Sequence, residues 1–451
     1  MNRSGLVRVP YFAVTAGIAL LATAPAAFAV TLCVNPGGTG GCFAAIQAAV
    51  DAAQNGDLID VAAGTYAENV SIPSGLGAIE LAIKGAGAGS TIIDGSGTGT
   101  LVFIGAGCTV TLSGLTLTNG AKGLATNEVD PPREITISDC EVSNNTERGI
   151  RAGARVLTVT NTLVTGNAGS GISVGGNQVL IQGSTISQNT ADVGMAVGSG
   201  GGVFLFKTRA TIQNCRIENN TAGSGSGGLS TQLSRVTVID SSITQNSAQA
   251  GGGLTATKGR LDLIGTTVSG NTASMHAGGI WANGRVRLTN STVSGNQAPL
   301  GAGILLDPPG RVLLRSTTVA SNFATVSGGG IRVDPVARII ALNTLIGDNS
   351  APAASDCEGT LRRRGYNLVE DASGCLFTGT SAGHLQGVDP MLGPLANNGG
   401  PTDTQALLAG SPAIDAGYPG PPIGRGRACP PTDQRGLARN GVCDIGAYEA
   451  P

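Results

Sequence analysis

Around residue 290 the chain alternates, turns and alternates again. Val286 and Leu288 are interleaved with Arg285, Arg287 and Thr289, Asn290-Ser291 interrupts, and Val293, Asn296 and Gly303-Ile304 follow. Period-two alternation predicts half-buried strands, here three short ones per unit joined by tight turns. The unit recurs along the chain. Asn145, Asn167, Asn189, Asn220, Asn246, Asn271, Asn296, Asn322 and Asn349 each close the same segment, at intervals of 22, 22, 31, 26, 25, 25, 26 and 27 residues. A period near 25 residues predicts a solenoid whose coils stack about 4.8 Å apart.

Stacking turns repeated positions into columns. One aliphatic column reads Ile150, Ile172, Val203, Leu229, Leu254, Ile280, Ile304 and Ile331; a second runs from Val142 through Ile217 and Val293 to Ile346. Together they predict a continuous core. Six residues before each anchor stand Asp139, Asn161, Gly183, Asn214, Asp240, Gly265, Asn290, Ser316 and Asn343, types that tolerate tight-turn backbone, so this column reads as turns. The anchor asparagines read as a hydrogen-bonded ladder rather than as catalysts. At the N-terminal end Phe43, Ile46 and Val50 recur at helical spacing and predict a cap over the exposed strand edges.

Composition sharpens this. The 72 glycines would suit a disordered chain, but 41% of residues are hydrophobic and the β-branched ones keep register with the asparagines. Arg3, Arg8, an apolar run from Tyr11 to Leu21 and Ala27-Phe28-Ala29 predict a signal peptide over 1–29, cleaved after Ala29, and hence a secreted or surface protein. Loss of those two arginines from 27 basic residues leaves 25 against 29 acidic, which gives no hint of nucleic acid. No later stretch is apolar for long enough to span a membrane. Export permits disulfides, expected as Cys33 with Cys42, Cys357 with Cys375 and Cys429 with Cys443; Cys108, Cys140 and Cys215 read as buried small residues. No CxxC occurs and the two histidines are His276 and His384, so neither metal nor cofactor is expected.

Two stretches carry family resemblances. The run IQAAVDAA followed by GDLIDVAAGTYAEN, residues 46–69, resembles the start of right-handed parallel β-helix proteins of the pectate-lyase-like superfamily. The GGGI and xxN repeats resemble those of polymorphic outer membrane proteins. GYNLVED (365–371), VDPMLGPLANNGGPT (388–402), SPAIDAG (411–417), DQRG (433–436) and CDIGAYE (443–449) resemble a choice-of-anchor Q domain. The resemblance implies an all-β, right-handed parallel β-helix: signal peptide 1–29, cap and first coil 30–70, repeats 71–356, and an irregular, disulfide-stapled region 357–451. The chain has no apolar tail after Glu449, so simple secretion as a monomer is expected over anchoring. The GHG and RIK motifs of polygalacturonase-like sites and the acidic cluster of pectate-lyase-like sites are missing, so the scaffold carries over without its catalytic residues.

Two columns stand out as chemistry. Eleven residues before the anchor stand Arg209, Arg235, Arg260, Arg285, Arg311 and Arg338, a stripe about 24 Å long if each step is about 4.8 Å. Within 205–340 there are 12 Lys plus Arg against five Asp plus Glu. Solvated turn residues explain such a stripe, and so does a site for acidic polysaccharide or another polyanion. Fifteen residues before the anchor stand Asp130, Asp307 and Asp334, each followed by Pro, and Trp281. Turn formation, with Arg311 and Arg338 as partners, explains these aspartates; Asp307 and Asp334 are the candidates if the chain is a polysaccharide-active lyase or hydrolase, with Trp281 as a sugar-stacking surface. The simplest functional expectation is a non-catalytic surface scaffold for adhesion or acidic-glycan binding.

Overall fold

The computed structural model describes residues 30–73, 79–176, 178–191, 200–424 and 426–451. The expected signal peptide and its cleavage point lie outside the described residues. From Thr31–Val34 onward the chain winds into a parallel β-solenoid of about 13 turns. No described helix is long and apolar enough to cross a membrane.

A middle coil shows the design. Arg235–Ile239 and Ser242–Thr244 form a first face, Ser247–Ala250 a second and Leu254–Thr257 a third. Each pairs in parallel with its equivalent one coil later, for example Val236 with Leu261 and Leu254 with Ile280. Three strands per coil hold up to Gln178–Gln182; from Thr190–Ala191 to Phe323–Ser327 the second face adds a short strand, and where the first face becomes one continuous strand, Arg285–Ser294 and Arg311–Ala320, the count is three again. Parallel stacking extends beyond 356, because Gly359 pairs with Cys375 and Leu368 with Leu385.

The columns are physical. Both aliphatic ladders are fully buried. All nine members of the turn column sit at φ between 46° and 59°, the left-handed region where Asn, Asp and Gly are least strained. Each anchor asparagine from Asn167 to Asn349 accepts, at its Oδ1, both the backbone N–H and the side-chain Nδ2–H of the anchor one coil earlier; Asn271 accepts Asn246 Nδ2–H at 3.0 Å and donates to Asn296 Oδ1 at 2.9 Å. Every polar atom of a buried rung is thereby paired, which removes the desolvation cost of an inward-facing amide.

The first coil is capped by the helix Ile46–Ala52, with Ile46, Ala49 and Val50 against the core. Its free N-terminal amides go to Glu68, which accepts from Ile46 at 2.7 Å and Gln47 at 2.9 Å. The three expected disulfides are formed, and Cys108, Cys140 and Cys215 are free and buried. Burial pushes the Cys140 and Cys215 thiols up to about 11, so neither is a nucleophile at neutral pH.

The C-terminal region folds back as a strap across the first face. Gln434 Nε2 donates to Thr267 Oγ1 and Thr402 Oγ1, each at 2.9 Å, and its Oε1 accepts Thr292 Oγ1–H at 2.7 Å. Thr318 Oγ1 accepts the Ala447 amide, and Asn290 Nδ2 donates to the Thr432 carbonyl. Upstream the same outward row holds Glu141, Leu163, Thr185 and Arg216. The strap is held by buried charge pairs, Arg435 with Asp433 and Arg439 with Glu449, both at 2.7 Å.

Candidate functional site

The expected arginine stripe is aligned strand by strand. Arg209 pairs with Arg235, Arg235 with Arg260, Arg260 with Arg285, Arg285 with Arg311 and Arg311 with Arg338. Each begins a first-face strand just after the turn from the third face, so its side chain points outward. Like charges directly opposite across a sheet destabilise it. Among the described residues only Arg260 gains relief, through Asp262 at 2.7 Å.

More cations converge than the column predicts. Lys207 and Lys258 stand at turn positions with φ of 53° and 51°, and with Arg209, Arg235, Arg260 and Arg285 they border a depression of about 680 Å3. Further along, Arg287, Arg362 and Arg364 join Arg285, Arg311 and Arg338 around a second one of about 550 Å3. Both lysines stand thirteen residues before their anchors, but Leu233 holds that position in the coil between them, so no charged column marks it. Arg362 and Arg364 lie beyond the last anchor, where no ruler reaches.

Asp307 and Asp334 do lie on adjacent coils, since the Asp334 amide bonds to Leu306 and the Asp307 amide to Ala282. Trp281 is not in their column. It pairs with Leu305, which pairs with Arg332, because the turn carrying Pro308-Pro309 is two residues longer than the one at Asn283-Gly284 and counting back from the anchor absorbs the difference. The indole nonetheless reaches Asp307, donating from Nε1 to Oδ2 at 2.7 Å. The expected partners are absent: among the described residues neither Asp307 with Arg311 nor Asp334 with Arg338 forms an ion pair, and Asp334 Oδ1 instead accepts the Val336 amide at 3.0 Å. Asp130 lies far off in an Asn127-capped turn.

Asp307 and Asp334 border a groove of about 460 Å3 where the second and third faces meet, with His276, Leu300, Leu305, Arg332 and Glu358. Glu358 accepts from Ser327 Oγ at 2.7 Å and pairs with Arg332 at 3.2 Å. His276 lies 6.5 Å from Trp281, ring centre to ring centre. Column reasoning missed Arg332 and Glu358, which belong to the row of Trp281. Elsewhere, Asp348, Glu370 and Asp389 place one carboxylate oxygen each within 4.8 Å of one another, a spacing compatible with a cation, on an exposed part of the surface.

Residues 128–298 match the family model described as a right handed beta helix region. The solenoid is a right-handed parallel β-helix. No curated protein sequence matches the chain. Among solved structures, this β-helix is similar to XylC in complex with xylose (TM-score 0.48, 10% identity, 93% of this chain and 98% of that one). It is similar also to a mannuronic acid specific polysaccharide family 6 lyase from human gut microbiota (0.43, 10%, 78% and 92%) and to the pectate lyase Pel9A (0.40, 14%, 94% and 97%).

Proposed function

We propose that this β-helix is a secreted or cell-surface scaffold that binds acidic polysaccharide along its arginine stripe. The observation that carries the reading is the register itself: six arginines on successive strands, five of them without a carboxylate partner among the described residues, flanked by Lys207 and Lys258. A row of like charges at strand spacing costs stability, and a polyanion along the row turns that cost into binding. Each guanidinium offers paired donors to a carboxylate or sulfate. The resemblance of the C-terminal motifs to a choice-of-anchor Q domain fits a surface role.

The test is retention on immobilised heparin and alginate under a salt gradient. Replacing Arg235, Arg260, Arg285 and Arg311 together by Gln moves elution to much lower salt; unchanged retention with an unchanged melting temperature overturns the reading.

A second reading, a polysaccharide-active lyase or hydrolase, is favoured by the groove that gathers His276, Asp307, Asp334, Arg332 and Glu358 beside Trp281. Carboxylates and an imidazole supply proton donors and acceptors at one place. A depolymerisation screen over neutral and acidic glycans decides it: product release that Asp307→Asn or Asp334→Asn abolishes supports catalysis, and no turnover on any of them leaves the binding scaffold.

A further inference from the structure

Beyond Arg260 the outward rows of the first face change character. The row that follows the turn continues as Arg285, Arg311 and Arg338, and the row two residues further along each strand reads Arg287, Leu313, Ile340 and Arg362 in register. Upstream the second row holds Thr211, Thr237 and Asp262. In the distal coils, therefore, two aliphatic side chains replace hydroxyls and the carboxylate, on a face that is otherwise charged. Leu313 and Ile340 are half-buried, so their outer surfaces form a floor.

That floor has a boundary of one chemistry. Arg287 and Arg362 stand at its two ends, about 14 Å apart as three strand spacings, and Arg311 and Arg338 flank it about 7 Å along the strands. Arg285, Arg364, Thr360 and Thr378 complete the rim of the 550 Å3 bowl, whose lining contains no carboxylate. None of its arginines forms an ion pair among the described residues.

We propose that this bowl is a binding site for an amphiphilic anion: an apolar ring or acyl body seated on Leu313 and Ile340, carrying phosphate, sulfate or carboxylate groups held by the surrounding guanidiniums. Burying the apolar body removes the floor from water, and guanidiniums both fork onto the anion and stack on an aromatic face. A hydrated glycan chain makes no use of an aliphatic floor. The site shares Arg285, Arg311 and Arg338 with the glycan stripe, but it does not depend on glycan binding.

The probe is anilinonaphthalene sulfonate, titrated into the full chain by fluorescence with inorganic sulfate as competitor. The dye binds the wild type, and the Leu313→Thr/Ile340→Thr double variant weakens it by roughly tenfold or more while melting temperature and glycan retention hold. Arg362→Gln weakens it as well. Arg235→Gln with Arg260→Gln, outside the bowl, lowers glycan retention and leaves dye affinity unchanged, which separates failure of this site from failure of the stripe. Co-sedimentation with phosphatidylcholine vesicles, with and without phosphatidate, identifies the source: dye-displaceable binding to phosphatidate vesicles supports a lipid head group, and dye binding without vesicle binding supports a soluble aromatic anion. Dye affinity unchanged in the Leu313→Thr/Ile340→Thr variant, or no tighter than that of inorganic sulfate, overturns the proposal.

Discussion

Asn349 donates from Nδ2 to Asp356 Oδ1 at 2.9 Å, so the last rung of the asparagine ladder is closed by a buried carboxylate. Asp356 Oδ2 in turn accepts the Asp371 amide at 2.8 Å and ties the next segment to the stack. Burial raises the Asp356 carboxyl from 3.8 to about 6, against the lowering effect of these hydrogen bonds. The folded chain thus holds this proton more tightly than the unfolded chain. The cost of the carboxylate is fully present above about pH 6 and is relieved as pH falls toward the unfolded value. The stability of wild type relative to Asp356→Asn therefore rises between pH 7 and pH 4.5; an equal melting-temperature difference at both pH values counts against this.

A rung removed from the middle of the ladder costs more than an ordinary surface amide. Asn271→Ala orphans the Asn246 backbone N–H, one Asn246 Nδ2 proton and the Ile243 carbonyl, and leaves Asn296 Oδ1 with the backbone N–H of residue 271 alone. At about 1–3 kcal/mol for each buried group left unpaired, the loss is expected to be at least about 3 kcal/mol by urea unfolding. The exposed amide of Gln178, on an extended strand, is the control, with Gln178→Ala expected to cost under about 1 kcal/mol.

Ser316 is the one serine in the left-handed turn column, at φ 46°, and its buried hydroxyl has no hydrogen-bond partner. Ser316→Gly removes the backbone strain and the unpaired hydroxyl together. A gain of about 1 kcal/mol in thermal or urea unfolding is expected, and a loss would show that the hydroxyl is satisfied in solution.

Arg285 faces Arg260 on one side and Arg311 on the other. Arg285→Gln relieves both repulsions and is expected to stabilise the fold by a few tenths of a kcal/mol, while lowering the salt at which the protein leaves an alginate column. The opposite signs of the two effects are the signature of a binding surface. A variant that loses stability without losing retention would make the stripe structural.

Gln434 is the pin of the C-terminal strap, bonded to Thr267, Thr292 and Thr402. Gln434→Ala leaves those hydroxyls buried without it and costs about 2–4 kcal/mol locally. Faster proteolysis and hydrogen exchange are expected in residues 402–449, with protection in the central coils unchanged.

Much of the fold is legible in the sequence because its interactions repeat at one fixed offset. A residue such as Val293 meets the same residue type one coil before and after it, so packing reduces to columns that a count from the anchor can find. The left-handed turn at Asn290 and the buried Val286 and Leu288 follow from local chemistry in the same way. Trp281 falls out of register with the count because coil length changes inside the interval, and Arg362 lies where no anchor remains.

The coil period, the core columns, the ladder and the arginine register are thus written along the chain, and the close cysteine pairs suggested three disulfides that the fold then brings into bonding distance. The contact of Trp281 with Asp307, the floor that Leu313 and Ile340 make within a ring of arginines, and the pinning of a strap to Thr267 by Gln434 across 167 residues arise in the folded chain alone. The reason is physical. A stack propagates by nearest-neighbour contact at a constant sequence separation, whereas a groove or a docked strap joins residues by shape and charge at separations that no repeat encodes.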